Sequence, residues 1–277
     1  MSSDPLAGVS ALPGVEAAVA QARVAVDRLL THRVLRRRGE EVRLAGALRG
    51  ARASAALDGA DWPLADVRRL EEVPDRRGAG VVRGALRAGA ELGTVRSAWV
   101  KAPLQVLARL HALAAADLLA HDRLGRPRDD GEAVEDPLGL ATAPSPATVS
   151  ARLDALARLV ATPGDASALV LAAVVHGELL ALRPFPAGNG VVARAASRLV
   201  LITRGFDPAA VSIPEVGHLD GADAAGPGSP RAAYGAAAQG YLVGAPAGVA
   251  AWVVHCAGAV EQGAQEGLAV CEALLRG

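Results

Sequence analysis

The segment RPFPAGNGVVAR, residues 183–194, contains the residue types and spacing in this chain that could support chemistry. Gly188, Asn189 and Gly190 precede an apolar stretch with helical spacing, and glycines there permit positive φ and close backbone approach. The free N–H groups and the dipole of a helix N-terminus attract an anion. Arg194 follows one turn later and could contact a second anionic group. On these residues alone a simple helix–loop–helix turn is the favoured interpretation, and an anion site is the alternative.

Other polar side chains lie in apolar stretches and favour structural roles. His176 precedes Arg183 by seven residues, which is about 10 Å along a helix and too far to share a proton. His111 and His176 are therefore interpreted as core histidines, and Glu178 as one half of an ion pair with an arginine. Arg194 and Arg198 are four residues apart, so they form either a basic stripe or a solvated face.

Composition limits the classes of function. Hydrophobic residues make up 51% of the 277 residues, and abundant alanine favours helices. Aromatic residues are only 3%, and 29 basic residues balance 29 acidic ones, so the features that favour nucleic-acid or membrane partners are missing. The N-terminus has no signal-peptide pattern, and Cys256 and Cys271 form no CxxC pair. We expect a cytoplasmic chain with buried reduced thiols and no metal site.

Helical periodicity, broken by glycine and proline, divides the chain into elements. The predicted helices cover residues 15–35, 41–57, 80–100, 103–120, 147–160, 166–182, 190–204, 232–243 and 248–275. Asp58 and Gly59 form a helix stop signal. Asp61 is interpreted as the cap of a further helix, with Pro63 in its first turn.

Two segments lack helical periodicity and are rich in glycine and proline. Residues 124–146 predict an exposed loop or a short hairpin, and residues 221–230 predict a second loop. No internal repeat or long polar linker separates independent domains. The sequence therefore predicts an all-α protein with a helical extension over residues 1–78 and a core domain over residues 79–277.

The order and spacing of these features resemble the Fic family, whose active-site loop reads His-Pro-Phe-x-(Asp/Glu)-Gly-Asn-Gly-Arg-x-x-Arg between two central helices. The matching residues are Pro184, Phe185, Gly188, Asn189, Gly190 and Arg194. LQVLARLHALAAA, with His111, resembles the family's Leu-His helix. GRPR, residues 125–128, resembles the segment before its substrate-docking flap. RAAYGAAAQGY and the later Ala251-Trp252 resemble its closing helices. The resemblance covers about residues 15–260 and implies a Fic-type helical bundle with a short flap.

Three chemical positions of this motif differ from the family. Fic enzymes usually transfer AMP from ATP to a hydroxyl group of a target protein. Arg183 stands at the base position, and a guanidinium cannot accept a proton at neutral pH. Ala187 stands at the metal carboxylate position and offers no oxygen to Mg²⁺, while Val191 replaces the first arginine. The resemblance thus implies a degenerate site that has lost its catalytic residues and holds no metal.

The remaining motif residues correspond to nucleotide-binding positions of the family, namely Gly188, Asn189, Gly190 and Arg194. SAALDG, residues 54–59, resembles the Ser-x-x-x-Glu-Gly inhibitory helix that some Fic proteins carry. Asp58 stands at the position of the inhibitory glutamate, with Ser54 one turn earlier. If it occupies that place, Asp58 could pair with Arg194. The alternative is that Ser54 and Asp58 only satisfy a helix end.

Three functions are compatible with this sequence. The first is a pseudoenzyme that binds ATP, ADP, AMP or another phosphate anion without Mg²⁺, in a regulatory role with a protein partner. Arg183 and Arg194, with no carboxylate in the loop, favour it. The second is an interaction scaffold with a closed pocket, and the third is a transferase with altered chemistry. The apolar helices would also be compatible with a homodimer.

Overall fold

The protein is all-α, as the sequence predicts. The computed structural model describes residues 4–70, 76–140, 142–162, 164–220 and 230–276. Within these ranges there are α-helices and the 3₁₀ turn His121–Arg123, but no strand. The helices are α1 Ala7–Ser10, α2 Val15–Leu30, α3 Leu35–Leu57, α4 Leu64–Arg68, α5 Ala79–Trp99, α6 Pro103–Ala114, α7 Pro146–Ala161, α8 Ala168–Leu182, α9 Asn189–Thr203, α10 Pro214–Asp220, α11 Pro230–Val243 and α12 Pro246–Arg276.

Helices α8 and α9 pack against each other at the centre of the bundle. The sequence of α8 is apolar apart from His176 and Glu178, which is typical of a helix that is buried on nearly all sides. Gly177 lies in α8 because a Cβ there would come within 2.8 Å of the Trp252 and Tyr241 rings. The Trp252 indole donates a hydrogen bond to the Ala173 carbonyl at 2.8 Å. The loop that joins α8 to α9 is therefore held by two buried helices.

The N-terminal helices belong to the same packed bundle. Helix α2 lies along α12, and α3 contacts α5, α9, α10 and α12. The C-terminal half of α3 is rich in small buried residues, and Gly50 lies against Glu215, Ile213 and Arg198. This close approach brings the end of α3 onto the start of α9.

Several element boundaries differ from the sequence prediction. The helix predicted over residues 15–35 ends at Leu30, and α3 begins at Leu35, with a non-helical Arg38 in its first turns. Helix α6 ends at Ala114 rather than at residue 120. The chain turns there and leads toward the loop over residues 124–146. Helix α10 has no counterpart in the prediction, since its seven residues are too few to show a period.

The cap predicted at Asp61 is wrong. Pro63 itself occupies the N-cap position of α4 in an extended conformation, and Asp61 instead pairs with Arg52 at 2.6 Å. The prolines and glycines of residues 124–146 do form a loop, but its described part contains no hairpin. Residues 221–229 of the second predicted loop lie outside the described residues. Across the described helices, none combines the length and the apolar character needed to span a membrane.

Candidate functional site

The loop between α8 and α9 has a fixed, locally bonded shape. The Asn189 side chain accepts a hydrogen bond from the Phe185 N–H at 3.0 Å and donates one to the Phe185 carbonyl at 2.7 Å. Gly188 has a φ of +72° at the N-cap of α9, a conformation that glycine adopts without strain. The Phe185 ring stacks on His111 with centroids 3.9 Å apart. These contacts give the glycine turn the helix-start geometry that the sequence predicts.

Arg194 is fully surrounded by partners from the protein itself. Its Nε donates to Ser54 Oγ at 2.8 Å, and its Nη2 donates to the Ser54 carbonyl at 2.9 Å. Asp58 Oδ2 lies 2.9 Å from Nη2, and the Tyr234 hydroxyl lies 3.4 Å from Nη1. The side chain of Arg194 is only 2% exposed. Asp58 therefore does reach Arg194, although it is one methylene shorter than a glutamate.

The Asp58 carboxylate lies directly on the glycine turn. A Cβ placed on Gly190 would overlap this carboxylate and would lie 2.6 Å from Oδ2. Only a residue without a side chain can stand at this position while Asp58 holds Arg194. The carboxylate thus occupies the region above the start of α9 that favours an anion.

A second carboxylate approaches the same turn from the loop over residues 124–146. The backbone N–H of Glu135 donates to the Pro186 carbonyl at 2.8 Å, which places the Glu135 side chain beside the turn. Partial burial raises the pKa of this carboxyl; the facing Gly188 N–H lowers it, and the Asp58 charge raises it further. Glu135 was not among the residues selected from the sequence, because nothing in its neighbourhood indicates a position next to the turn.

Arg183 stands at the family's base position, and its positive charge is balanced by a carboxylate of the same chain. Its Nη1 lies 2.9 Å from Asp136 Oδ2, and its side chain is only 4% exposed. Burial lowers the pKa of its guanidinium, and the Asp136 charge opposes that shift. Arg183 has a φ of +41°, a left-handed conformation that costs a non-glycine residue about 1–2 kcal/mol. Its carbonyl accepts a hydrogen bond from Arg128 Nε at 3.0 Å, which holds this conformation.

The cavity above the turn is acidic. It has a volume of about 330 Å³, and its lining includes Asp58, Glu135 and Asp136 together with the glycine turn and apolar side chains. With Arg183 and Arg194, which pair with two of these carboxylates, the ionised groups sum to one negative charge. The prediction from the sequence had two positive charges, because it included only the loop residues Arg183 and Arg194.

Ala187 and Val191 are buried, and neither offers a metal ligand or a charge. Glu178 pairs with Arg152 at 2.8 Å, which confirms the predicted ion pair. Arg198 is buried and donates to the carbonyls of Ala210 and Ser212, so neither a basic stripe nor a solvated face exists there.

His111 lies under the loop in a fully buried position. Its Nδ1 accepts a hydrogen bond from the Gly125 N–H at 2.9 Å, in agreement with its interpretation as a core histidine. Burial lowers its pKa to about 4, although the neighbouring Ala187 backbone raises it. The ring is therefore neutral at pH 7 and does not line the cavity above the turn.

Comparisons with known proteins agree with this arrangement. Residues 101–201, which include both the Leu-His helix and the glycine turn, match the sequence model of the Fic/DOC family. No protein of curated function matches the sequence significantly.

Solved structures of Fic proteins share the fold. A Fic family protein from Desulfovibrio desulfuricans G20 has a TM-score of 0.71 at 19% identity, over 93% of this chain and 74% of that chain. Fic-1 from C. elegans has a TM-score of 0.69 at 18% identity, over 94% and 73% of the two chains. A Fic domain containing signaling protein from Bacteroides thetaiotaomicron VPI-5482 has a TM-score of 0.59 at 14% identity, over 92% and 98%. Residues 101–201 of this chain therefore match the Fic/DOC family, and the chain has the all-α fold of Fic proteins over most of its length.

Proposed function

We propose that this chain is a Fic-fold pseudoenzyme whose anion site is filled, in the resting state, by its own carboxylates. The observation that carries the proposal is the position of Asp58, which covers Gly190 and pairs with Arg194 at the same time. A regulatory role follows from this arrangement, because binding of a phosphate at the turn requires Asp58 to move. Any partner that moves the end of α3 would then control access to the site.

The loss of AMP transfer rests on the groups at the reacting end of the loop. A general base typically contributes about 10²–10⁴-fold to the rate. Arg183 cannot supply this contribution while it is protonated and paired with Asp136. Ala187 provides no oxygen ligand for Mg²⁺. The remaining groups of the loop can hold an anion but cannot activate a hydroxyl group for attack on it.

Phosphate binding should therefore be weak in the wild-type chain and stronger when Asp58 is removed. In Asp58→Ala, the Gly190 region opens and Arg194 keeps its two hydrogen bonds to Ser54. A phosphate oxygen can then take the place of the missing carboxylate, both at the helix start and on Arg194.

Calorimetry with ATP, ADP and AMP, with EDTA and then with Mg²⁺, tests the proposal. We expect Asp58→Ala to bind at least one nucleotide at least about 10-fold more tightly than wild type. A tenfold change in Kd corresponds to about 1.4 kcal/mol of binding free energy. We expect Mg²⁺ to add little to this binding. Asp61→Ala is the matched control, because Asp61 is an exposed aspartate nearby that pairs with Arg52. Absence of nucleotide binding both by folded Asp58→Ala and by a folded variant that also lacks the Glu135 carboxylate would falsify the phosphate-binding part of the proposal.

A closed interaction scaffold is the second candidate, and the position of Glu135 favours it. Glu135 would still face the Gly188 N–H after Asp58 is removed. The double variant Asp58→Ala/Glu135→Gln distinguishes the two functions, because it removes both carboxylates from the turn. If even this variant binds no nucleotide, the closed scaffold is the better description.

Incubation of the wild-type chain with labelled ATP and a lysate tests for altered transfer chemistry. We expect no label on any protein beyond the background seen with heat-denatured chain. Stable label on a target, dependent on the folded protein, would show that a base outside the family's motif supports transfer.

A further inference from the structure

A second cluster of polar groups lies within the core, at the junction of α8, α10, α11 and α12. His176 comes from α8, His218 from α10 and Cys256 from α12, and all three are buried. One potential ligand atom from each residue lies within 4.8 Å of the other two. None of these residues belongs to the glycine turn, and no sequence motif groups them because they are up to 80 residues apart.

The hydrogen bonds of the two imidazoles leave one ring nitrogen of each for another partner. His176 Nε2 lies 2.7 Å from the Tyr234 hydroxyl, whereas its Nδ1 is buried without a hydrogen-bond partner. His218 Nδ1 lies 3.1 Å from His255 Nε2. A buried polar atom without a partner carries a desolvation cost, so the free Nδ1 of His176 calls for an explanation.

We propose that His176, His218 and Cys256 form a binding site for a divalent cation of the zinc type. Two imidazole nitrogens and one thiolate are a ligand set that Zn²⁺ prefers, whereas Mg²⁺ and Ca²⁺ require oxygen ligands. Three protein ligands leave a fourth position for a small ligand such as water. The site adjoins the anion site, because the Tyr234 hydroxyl contacts both His176 and Arg194. Its ligands are different residues, and it does not depend on the proposed pseudoenzyme function.

The distances require only a small adjustment on binding. Zn–N bonds of about 2.0–2.1 Å and Zn–S bonds of about 2.3 Å in a tetrahedron place these three ligand atoms roughly 3.3–3.6 Å apart. The present separations of up to 4.8 Å therefore need to shorten by up to about 1.5 Å. Side-chain rotations within the cluster can supply a movement of this size.

The neighbours of the cluster suit the role of orienting groups. Metal-binding histidines usually donate their second ring N–H to an outer partner, which fixes the ring and its tautomer. In this chain Tyr234 is placed to accept from His176, and His255 is placed to accept from His218. On binding, the Cys256 thiol releases its proton to solvent and the resulting thiolate bonds to the cation.

The expected consequence is structural, because the cation would connect α8, α10 and α12 inside the core. A ligand that binds only the folded state shifts the folding equilibrium about 100-fold when its free concentration is 100 times Kd. Thermal unfolding of the untagged full chain should therefore move to higher temperature with Zn²⁺. The same addition should have no such effect on a chain in which the cluster is removed.

Elemental analysis and Co²⁺ spectroscopy on the reduced, untagged full chain test the site. The chain is prepared by expression with added Zn²⁺ and, separately, by refolding with Zn²⁺ or Co²⁺. We expect one ion per chain and, with Co²⁺, visible d–d bands together with a thiolate-to-cobalt charge-transfer band. Absence of stoichiometric metal after both preparations, or bound Co²⁺ without the charge-transfer band, overturns the proposal.

Variants separate a ligand role from a packing role. Cys256→Ser should lose the charge-transfer band and bind at least about 10-fold more weakly. Cys271→Ser, at the other buried cysteine of α12, should keep both the band and the affinity. Tyr234→Phe should keep the band while its affinity falls about 10–100-fold, as is usual for an outer partner. If Cys256→Ser does not fold, the wild-type spectrum and Tyr234→Phe decide the question. Unchanged affinity and an unchanged band in a folded Cys256→Ser chain contradict the site.

Discussion

At the scale of single residues, the interactions of Arg194 decide how the candidate site behaves. A buried guanidinium needs a nearby negative charge, and Asp58 supplies it at 2.9 Å. Ser54 supplies two further acceptors, one from its side chain and one from its backbone. The family resemblance was sufficient to select all three residues from the sequence. It could not show how close they are, because that depends on how α3 packs on α9.

The contact between Asp58 and Gly190 can be tested by a double-mutant cycle. Gly190→Ala in the wild-type chain forces the new Cβ onto the Asp58 carboxylate, so we expect a loss of about 1–3 kcal/mol in the free energy of unfolding. In Asp58→Ala the same substitution should be neutral or should stabilise the helix by up to about 1 kcal/mol. Denaturant unfolding of the four chains measures the coupling energy. Equal effects in both backgrounds would show that Asp58 does not lie on the turn.

A pH-dependent contribution to stability is expected from His111. Burial lowers its pKa to about 4 in the folded chain, whereas an unfolded histidine titrates near 6.5. The unfolded state therefore binds more protons between these values, and folding stability falls as the pH decreases through this window by about 1.4 kcal/mol per unit. This contribution is fully present above about pH 6.5.

His111→Asn removes this titration and retains an acceptor for the Gly125 N–H. The variant should start from a lower stability because it loses the stack on Phe185. Its free energy of unfolding should nevertheless fall less steeply than that of wild type between pH 6 and pH 4. The difference in slope should be about 1.4 kcal/mol per pH unit, which corresponds to one proton. Chemical denaturation at several pH values gives both slopes, and parallel slopes would contradict the prediction.

At the scale of elements, regular helices were predictable and the contacts between loops were not. Helices α5, α7 and α9 follow the apolar periodicity of the sequence, whereas α8 follows a continuous apolar stretch that ends before Pro184. The position of Glu135 and Asp136 beside the turn comes from two loops that meet through single backbone hydrogen bonds. The buried histidine and cysteine cluster likewise depends on where α10 packs, and that helix is too short to show a period in the sequence.

Close packing of α8 predicts opposite effects for two helical glycines. Gly177→Ala would bring a Cβ within 2.8 Å of Trp252 and Tyr241, so we expect a loss of about 1–3 kcal/mol in unfolding free energy. Gly93 lies in α5 with no atom near its missing Cβ. Gly93→Ala should therefore stabilise the chain by up to about 1 kcal/mol. Thermal unfolding of both variants provides the test, and a tolerated Gly177→Ala would count against this packing.

At the scale of the whole molecule, the N-terminal helices α2 and α3 form part of the hydrophobic core. Leu29 of α2 contacts Gly267 of α12, and buried side chains of α3 join the same hydrophobic cluster as α9. The sequence predicted an extension over residues 1–78 and a core over residues 79–277. That division stays a prediction, because contacts across the boundary do not show how either part folds alone.

Deletion of residues 1–78 tests whether the two parts fold separately. Because α2 and α3 cover apolar faces of α12, α5 and α9, we expect the fragment 79–277 to be aggregated or partly unfolded. The full chain should unfold in one cooperative transition with coincident spectroscopic probes. A soluble, fully helical fragment with its own sharp transition would establish an independent core domain.

The position of Asp58 also sets a threshold for any ligand of the glycine turn. If the open form is about 1% of the population, the apparent Kd is about 100 times the intrinsic one. A scarce anion would then leave the site unchanged, and an abundant one would fill it. A partner that binds the end of α3 could lower that threshold without touching the ligand. The pairing of Asp58 with Arg194 would then make occupancy of the site depend on the concentration of the anion. The packing of α3 would determine the concentration at which the site fills.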